Sequence, residues 1–234
     1  MMKKIGMLGG MSWESTLEYY RIINEEVKKR AGETHSAQCI LYSYDFHEME
    51  ILQHRNQWDQ LEEQLLMGAE NIIKAGADFI CICTNTMHMF AESIEKQISV
   101  PLLHIADSLG RKIAKEKLET VGLLGTKFTM EKDFYKKRIE ENYGIRVVIP
   151  EIQDREEVHR IIYKELILGK IKENSKNHMK KIIGNLREKG AQGVILGCTE
   201  IPLLIKEGET DIPLFESTRI HALAAVEEAI LGVF

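Results

Sequence analysis

The 234-residue sequence predicts an α/β protein built from two similar Rossmann-like units with parallel sheets, related by a pseudo-twofold axis, and three observations carry that prediction. Strand-like apolar runs alternate with amphipathic helical stretches, the pattern of parallel strands joined by helical crossovers. The runs end in glycine or small polar residues, at the strand ends where ligands bind in such sheets. Landmarks also recur in one order: Gly6 as Gly122 (offset 116), Gly76 as Gly190 and Thr84 as Cys198 (offset 114), and Pro101 as Pro213 (offset 112). Several landmarks in register point to an internal duplication.

The segment KKIGMLGGMSWESTLEYYRIINEEV reads as strand, glycine turn and helix, with Ser12 as candidate N-cap. ETVGLLGTKFTMEKDFYKKRIEENYG repeats that order, with Thr126 or Thr129 near the turn and Phe134, Tyr135 and Ile139 in the helix that follows. KAGADFICICTNTMH is a buried strand ending in small polar residues, and REKGAQGVILGCTEIP matches it. SVPLLHIADSLGRKIA, with a helix over His104–Lys117, pairs with DIPLFESTRIHALAAV. These boundaries give a first unit over 1–105 and a second over 106–214, with 215–234 free to pack back on the first. Two such copies facing each other would present Thr84 and Cys198 from opposite sides of one cleft.

Composition narrows the partners. A formal charge of −5 with both signs interspersed offers no basic stripe for nucleic acid or an anionic membrane surface. MMKKIGMLGG is too short and glycine-rich for a secretory signal, and no apolar run approaches the roughly 20 residues of a membrane span, so a cytoplasmic location is expected. There the four cysteines, Cys39, Cys81, Cys83 and Cys198, stay reduced. Cys198 follows the strand-like Val194–Leu196 and precedes a helix whose start Pro202 can fix. A thiol at a helix N-terminus has its pKa lowered from about 8.5 by free N–H groups and the dipole. A buried, inert cysteine is the competing reading, and the repeat favours function. Cys81 serves as a small hydrophobe in FICICT, whereas Cys83 lies nearer the strand end and could reach the cleft. A lone C-x-C gives no zinc spacing, and the histidines of DFHEMEILQH read as solvated, so no metal is expected. MLGGMS and LLGTKFT can turn N–H groups and hydroxyls toward a carboxylate, or simply cap helices. G-x-G-x-x-G and P-loop signatures are absent.

Together KKIGMLGGMSWEST, CTNTMH and GCTEIPLL resemble the aspartate/glutamate racemase family over almost the whole chain, most of all its L-aspartate/glutamate-specific or broad-specificity members. The resemblance implies a small amino-acid substrate, no pyridoxal phosphate or other cofactor, a homodimer as is common among relatives, and two opposed bases exchanging the α-proton. In most of the family the first motif reads CNT; here Thr84 holds the position of that cysteine. Neighbouring side chains on a strand point to opposite faces, so Cys83 cannot simply replace it. Cys198 is then the strong base and Thr84 a weak one. By matching motifs, Met11, Ser12, Gln53, Asn85, Thr86, Thr126, Thr199 and Glu200 form the substrate shell, with Glu200 orienting Cys198 or the substrate ammonium. Met49 and Ile167 stand where relatives carry basic side chains for the distal carboxylate, with Gln53 and Arg55 nearby. Two alternatives remain: a single-cysteine enzyme resembling arylmalonate decarboxylase, and an amino-acid-binding protein without catalysis.

Overall fold

The computed structural model describes residues 2–232. Chain order runs β1 (Ile5–Gly9), α1 (Trp13–Ala31), β2 (Cys39–Ser43), α2 (Phe46–His54), α3 (Trp58–Lys74), β3 (Phe79–Ile82), a 3-10 turn (Thr86–Phe90), α4 (Ala91–Glu95), β4 (Leu102–Leu103) and α5 (Ile105–Lys115). The order then repeats as β5 (Thr120–Gly125), α6 (Lys127–Glu131), α7 (Asp133–Tyr143), β6 (Arg146–Val148), α8 (Ile152–Lys164), a 3-10 turn (Leu166–Leu168), α9 (Glu173–Glu188), β7 (Val194–Gly197), α10 (Ile201–Leu204), β8 (Leu214–Glu216) and α11 (Ser217–Leu231).

Two four-stranded sheets result, ordered β2-β1-β3-β4 and β6-β5-β7-β8, with every pairing parallel. The α/β class with two parallel sheets is therefore the one the alternation predicts. The central strands β1, β3 and β7 are buried along their whole length, as parallel strands covered on both faces must be. The duplication extends to backbone detail. Gly76 and Gly190 both have φ +94, a conformation open to glycine and costly for other residues. Each is followed by the same lead into a strand: Asp78 N–H donates to Lys4 O as Gln192 N–H does to Thr120 O, and Ile80 N–H to Pro101 O as Val194 N–H to Pro213 O.

The chain divides into two compact units, residues 1–105 with 221–234 and residues 106–220. The return to the first unit thus starts at His221, six residues later than the sequence suggests, and Ser217–Ile220 stay with the second. Almost all of α5, the helix after β4, likewise belongs to the second unit. Each copy surrenders its last helix to the other unit. In the first unit α11 packs Ala222, Ala225, Val226 and Ala229 against Ile5, Met7, Tyr19, Phe79, Cys81 and Cys83. The buried Glu228 pairs with Lys3 there, and Lys3 N–H donates to Ala229 O. In the second unit Arg138 grips Asp107 of α5 through two carboxylate oxygens, and Gly110 leaves room for the Tyr143 ring, which a Cβ would meet at 2.2 Å.

Two local expectations change. The helix expected after LLGTKFT is broken: Lys132 is extended (ψ 148), ending α6 and opening α7, which carries Phe134, Tyr135 and Ile139. The helix expected over His104–Lys117 is shorter, Ile105–Lys115, within the usual uncertainty of helix ends.

Gly10, in the turn after β1, has φ +86, and a Cβ there would lie 2.2 Å from Tyr44 O and 2.5 Å from Tyr44 N. Both are backbone atoms, so neither can rotate away. Gly10→Ala is expected to destabilise the protein by about 3 kcal/mol or more, read as a lowered urea midpoint; an unchanged midpoint would mean that the turn relaxes freely.

Candidate active site

In each sheet the strand order reverses between the two central strands, β1 and β3 or β5 and β7, and connections leave to opposite sides. Ligands of open parallel sheets bind at the carboxyl ends of strands flanking such a reversal. Met11 and Ser12 follow β1, and Thr84, Asn85 and Thr86 follow β3, which is bonded to β1 in the register Leu8↔Ile82. Thr126 follows β5 and Cys198, Thr199 and Glu200 follow β7, bonded in the register Gly125↔Gly197. Nine of the ten proposed residues therefore cluster at two equivalent strand-end positions, five in the first unit and four in the second.

In the first unit the cluster is tied together by hydroxyls. Ser12 caps α1, its Oγ accepting from Ser15 N–H at 3.3 Å. Ser15 Oγ donates to Cys83 O at 3.0 Å, fastening the helix start to the strand that leads to Thr84. Thr16 Oγ1 accepts from Gly10 N–H at 2.8 Å and donates to Ser12 O at 2.9 Å. Sequence reasoning missed Ser15 and Thr16; the hydroxyls one turn after each glycine turn, with Thr129 in the second copy, were the available signal. Ser12, Asn85 and Thr86 are buried, while Thr84 is half-buried. Gln53, the tenth residue, is buried on α2 one helical turn beyond Met49, which packs with Leu8, Met11 and Met87. Met49 thus lies in the core beneath the turn, and Arg55 is exposed.

Cys83 is fully buried in the core with Tyr19, Phe79 and Cys81, and burial pushes its thiol well above the ordinary range. Of the two readings open to it, packing in the core is the one seen: Cys83 is turned inward, whereas its neighbour Thr84 is half-buried.

In the second unit Thr126 caps α6, accepting from Thr129 N–H at 3.3 Å, so Ser12 and Thr126 cap equivalent helices at an offset of 114. Gly125 and Gly197 face each other beneath Thr129: a Cβ on either would meet the other strand's backbone within 3.0 Å and Thr129 within 3.3 Å. The absence of side chains there lets the Thr126 and Cys198 turns approach. Cys198 Sγ donates to Glu200 Oε2 at 2.9 Å.

The expected lowering of the Cys198 pKa is overturned. Burial first, then the Glu200 carboxylate beside it, hold the thiol well above its ordinary value. Backbone N–H groups of Thr199 and Glu200 pull the other way and lose. The helix behind them, α10, has only four residues, with Pro202 in its first turn, so little dipole accumulates.

Comparison with known proteins fits this geometry. The Asp/Glu/Hydantoin racemase family matches over residues 8–225. The broad specificity amino-acid racemase RacX of Bacillus subtilis (strain 168) is 25% identical over 95% of this chain and 96% of its own. A solved structure from Yersinia pestis, described as a proposed Asp/Glu racemase, superposes with TM-score 0.93 at 48% identity, covering 98% of this chain and 100% of that one. An aspartate racemase homologue from Pyrococcus horikoshii OT3 superposes with TM-score 0.85 at 38% identity, covering 97% and 99%. With a family match across both copies and both strand-end turns, the chain belongs to the Asp/Glu/Hydantoin racemase family.

Proposed function

We propose that this chain racemises a small acidic amino acid, aspartate or glutamate, with Cys198 exchanging the α-proton on one face of the substrate and Thr84, directly or through water, on the other. The observation that carries this reading is the Cys198 thiol held 2.9 Å from the Glu200 carboxylate at the end of β7, in a chain of this family. Glu200 accepts the hydrogen bond of the thiol and orients Sγ, and solvent takes the thiol proton. The thiolate then takes the α-proton: the Cα–H bond breaks, an S–H bond forms, and the electron pair moves into the substrate carboxylate. Hydroxyl and amide donors from Ser12, Asn85, Thr86, Thr126 and Thr199 would stabilise that charge. A proton delivered from the Thr84 side completes inversion, and Met11 and Gln53 would border the side chain.

A threonine hydroxyl is a far weaker acid than a thiol, so the catalyst should be lopsided. The resemblance to L-aspartate/glutamate-specific members leads us to assign the α-proton of the L-enantiomer to Cys198, so in heavy water α-deuteration of that enantiomer should exceed that of the D-enantiomer. Because burial and Glu200 raise the thiol pKa, thiolate is scarce at neutral pH, and the L-rate should climb as pH rises from about 6 to 9. Glu200→Gln removes the neighbouring negative charge, so its climb should begin at lower pH. Equal rates for both enantiomers would sink the lopsided version, and a flat L-profile would remove the raised thiol from the mechanism.

A second reading follows from the burial of Cys83, which leaves Cys198, among the described residues, as the one cysteine at a strand-end site. An enzyme resembling arylmalonate decarboxylase needs one thiol, to protonate one face of an enolate. Net inversion of an amino acid favours racemisation; deuteration with retained configuration favours the single-thiol chemistry. Binding without exchange would leave an amino-acid-binding protein.

A further inference from the structure

His88 closes the TNTMH segment and has no part in the proton transfers above. We infer that His88 is a positioning residue, whose Nδ1–H holds the Thr84 carbonyl and thereby fixes the Thr84–Thr86 turn. The inference deepens the racemase reading and rests on it for what the turn does.

His88 is 1% exposed, and its Nδ1 lies 2.7 Å from Thr84 O. A carbonyl oxygen only accepts, so Nδ1 carries the proton. The ring is held by two more imidazoles, each edge to face: His104 at 4.8 Å between centroids and His221 at 5.4 Å. His221 is itself anchored, its Nε2 donating to Leu103 O at 2.8 Å while Nδ1 meets the Tyr19 hydroxyl at 2.8 Å. A ring so packed cannot swing away from the carbonyl it serves.

Cys83 N–H donates to Leu8 O, and β3 ends at Ile82, so Thr84 sits where the chain leaves the sheet. There the sheet no longer fixes the backbone, and the hydrogen bond from His88 does. It has a second effect. A donor on the carbonyl of a peptide polarises the whole unit, which makes the N–H on its other side a stronger donor. That N–H belongs to Asn85, one of the groups assigned to the substrate carboxylate. The duplication supplies an internal comparison: at the offset of 114 that relates Thr84 to Cys198, His88 corresponds to Pro202, which has no donor. The histidine belongs only to the copy whose base is a hydroxyl, where aiming a weak group matters most.

Three variants test this. Leu removes the donor and keeps bulk; Gln places an amide beyond the Nδ1 position; Asn places its amide nitrogen close to it. Saturating α-deuteration rates and KM are measured for D- and L-aspartate, with calorimetric binding of L-aspartate and thermal unfolding alongside. In H88L and H88Q the D-rate at saturation should fall about tenfold or more while the L-rate stays within about threefold, and KM should rise for both. H88N should recover most of the D-rate and the affinity. Equal losses for both enantiomers, or an H88N no better than H88Q while both remain folded, would overturn the inference. Should the unaltered protein exchange neither enantiomer, the racemase reading fails by itself, and calorimetry decides on His88. Tighter binding by H88N than by H88Q then upholds it and equal affinities refute it, while no binding by the unaltered protein overturns both.

Discussion

Cys198→Ala is expected to lower α-deuteration of L-aspartate and L-glutamate by about 10³-fold, the middle of the range a positioned base contributes. The thiol is 9% exposed and makes one strong hydrogen bond, to Glu200, so its removal takes away the proton acceptor and little packing. The unfolding temperature should therefore move by only about 2–4 °C, which separates loss of chemistry from loss of fold. Cys198→Ser is the sharper control. It keeps a donor toward Glu200 but offers an oxygen that ionises far less readily, so it should be nearly as inactive as the alanine variant. An L-rate that survives both changes would place the base elsewhere.

Thr84→Cys should do the reverse for the other face, raising α-deuteration of the D-enantiomer by about 10- to 100-fold. The side chain is half-buried at the end of β3, unlike its neighbour Cys83, so a sulfur there has access the native thiol lacks. The exchange of a hydroxyl and a methyl for a thiol changes volume little, and the Thr84 backbone remains held by His88. D- and L-rates should then converge, giving a symmetric catalyst from a lopsided one. A folded variant with no gain on the D-side would show that position 84 does not face the α-proton.

Much of the fold was legible because its signals are local and repeated. A glycine that must adopt φ +94 before a strand, as at Gly76 and Gly190, marks itself in sequence, and so does a hydroxyl that caps a helix after a glycine turn. The correspondence of Thr84 with Cys198 at an offset of 114 in the repeat was legible for the same reason. The ionisation of Cys198 was not. Helix-terminus reasoning needs a helix, and four residues with a proline give little field, while burial and the fold of Glu200 back onto the thiol are tertiary facts. The core histidines were equally hidden. His88, His104 and His221 lie up to 133 positions apart, and each alone looks like an ordinary polar residue in a mixed segment.

The trading of terminal helices between the two copies bears on how the protein can be made. During synthesis the first sheet can form once residue 103 has emerged, yet the face carrying Ile5, Met7, Phe79 and Cys81 waits for α11, more than a hundred residues later. Until then an apolar surface stays open, the kind of exposure that invites aggregation or chaperone binding. An ancestral duplication, once its helices crossed over, thus became a chain whose first half cannot be finished before its second. The compact units divide inside each copy, near the start of its last helix.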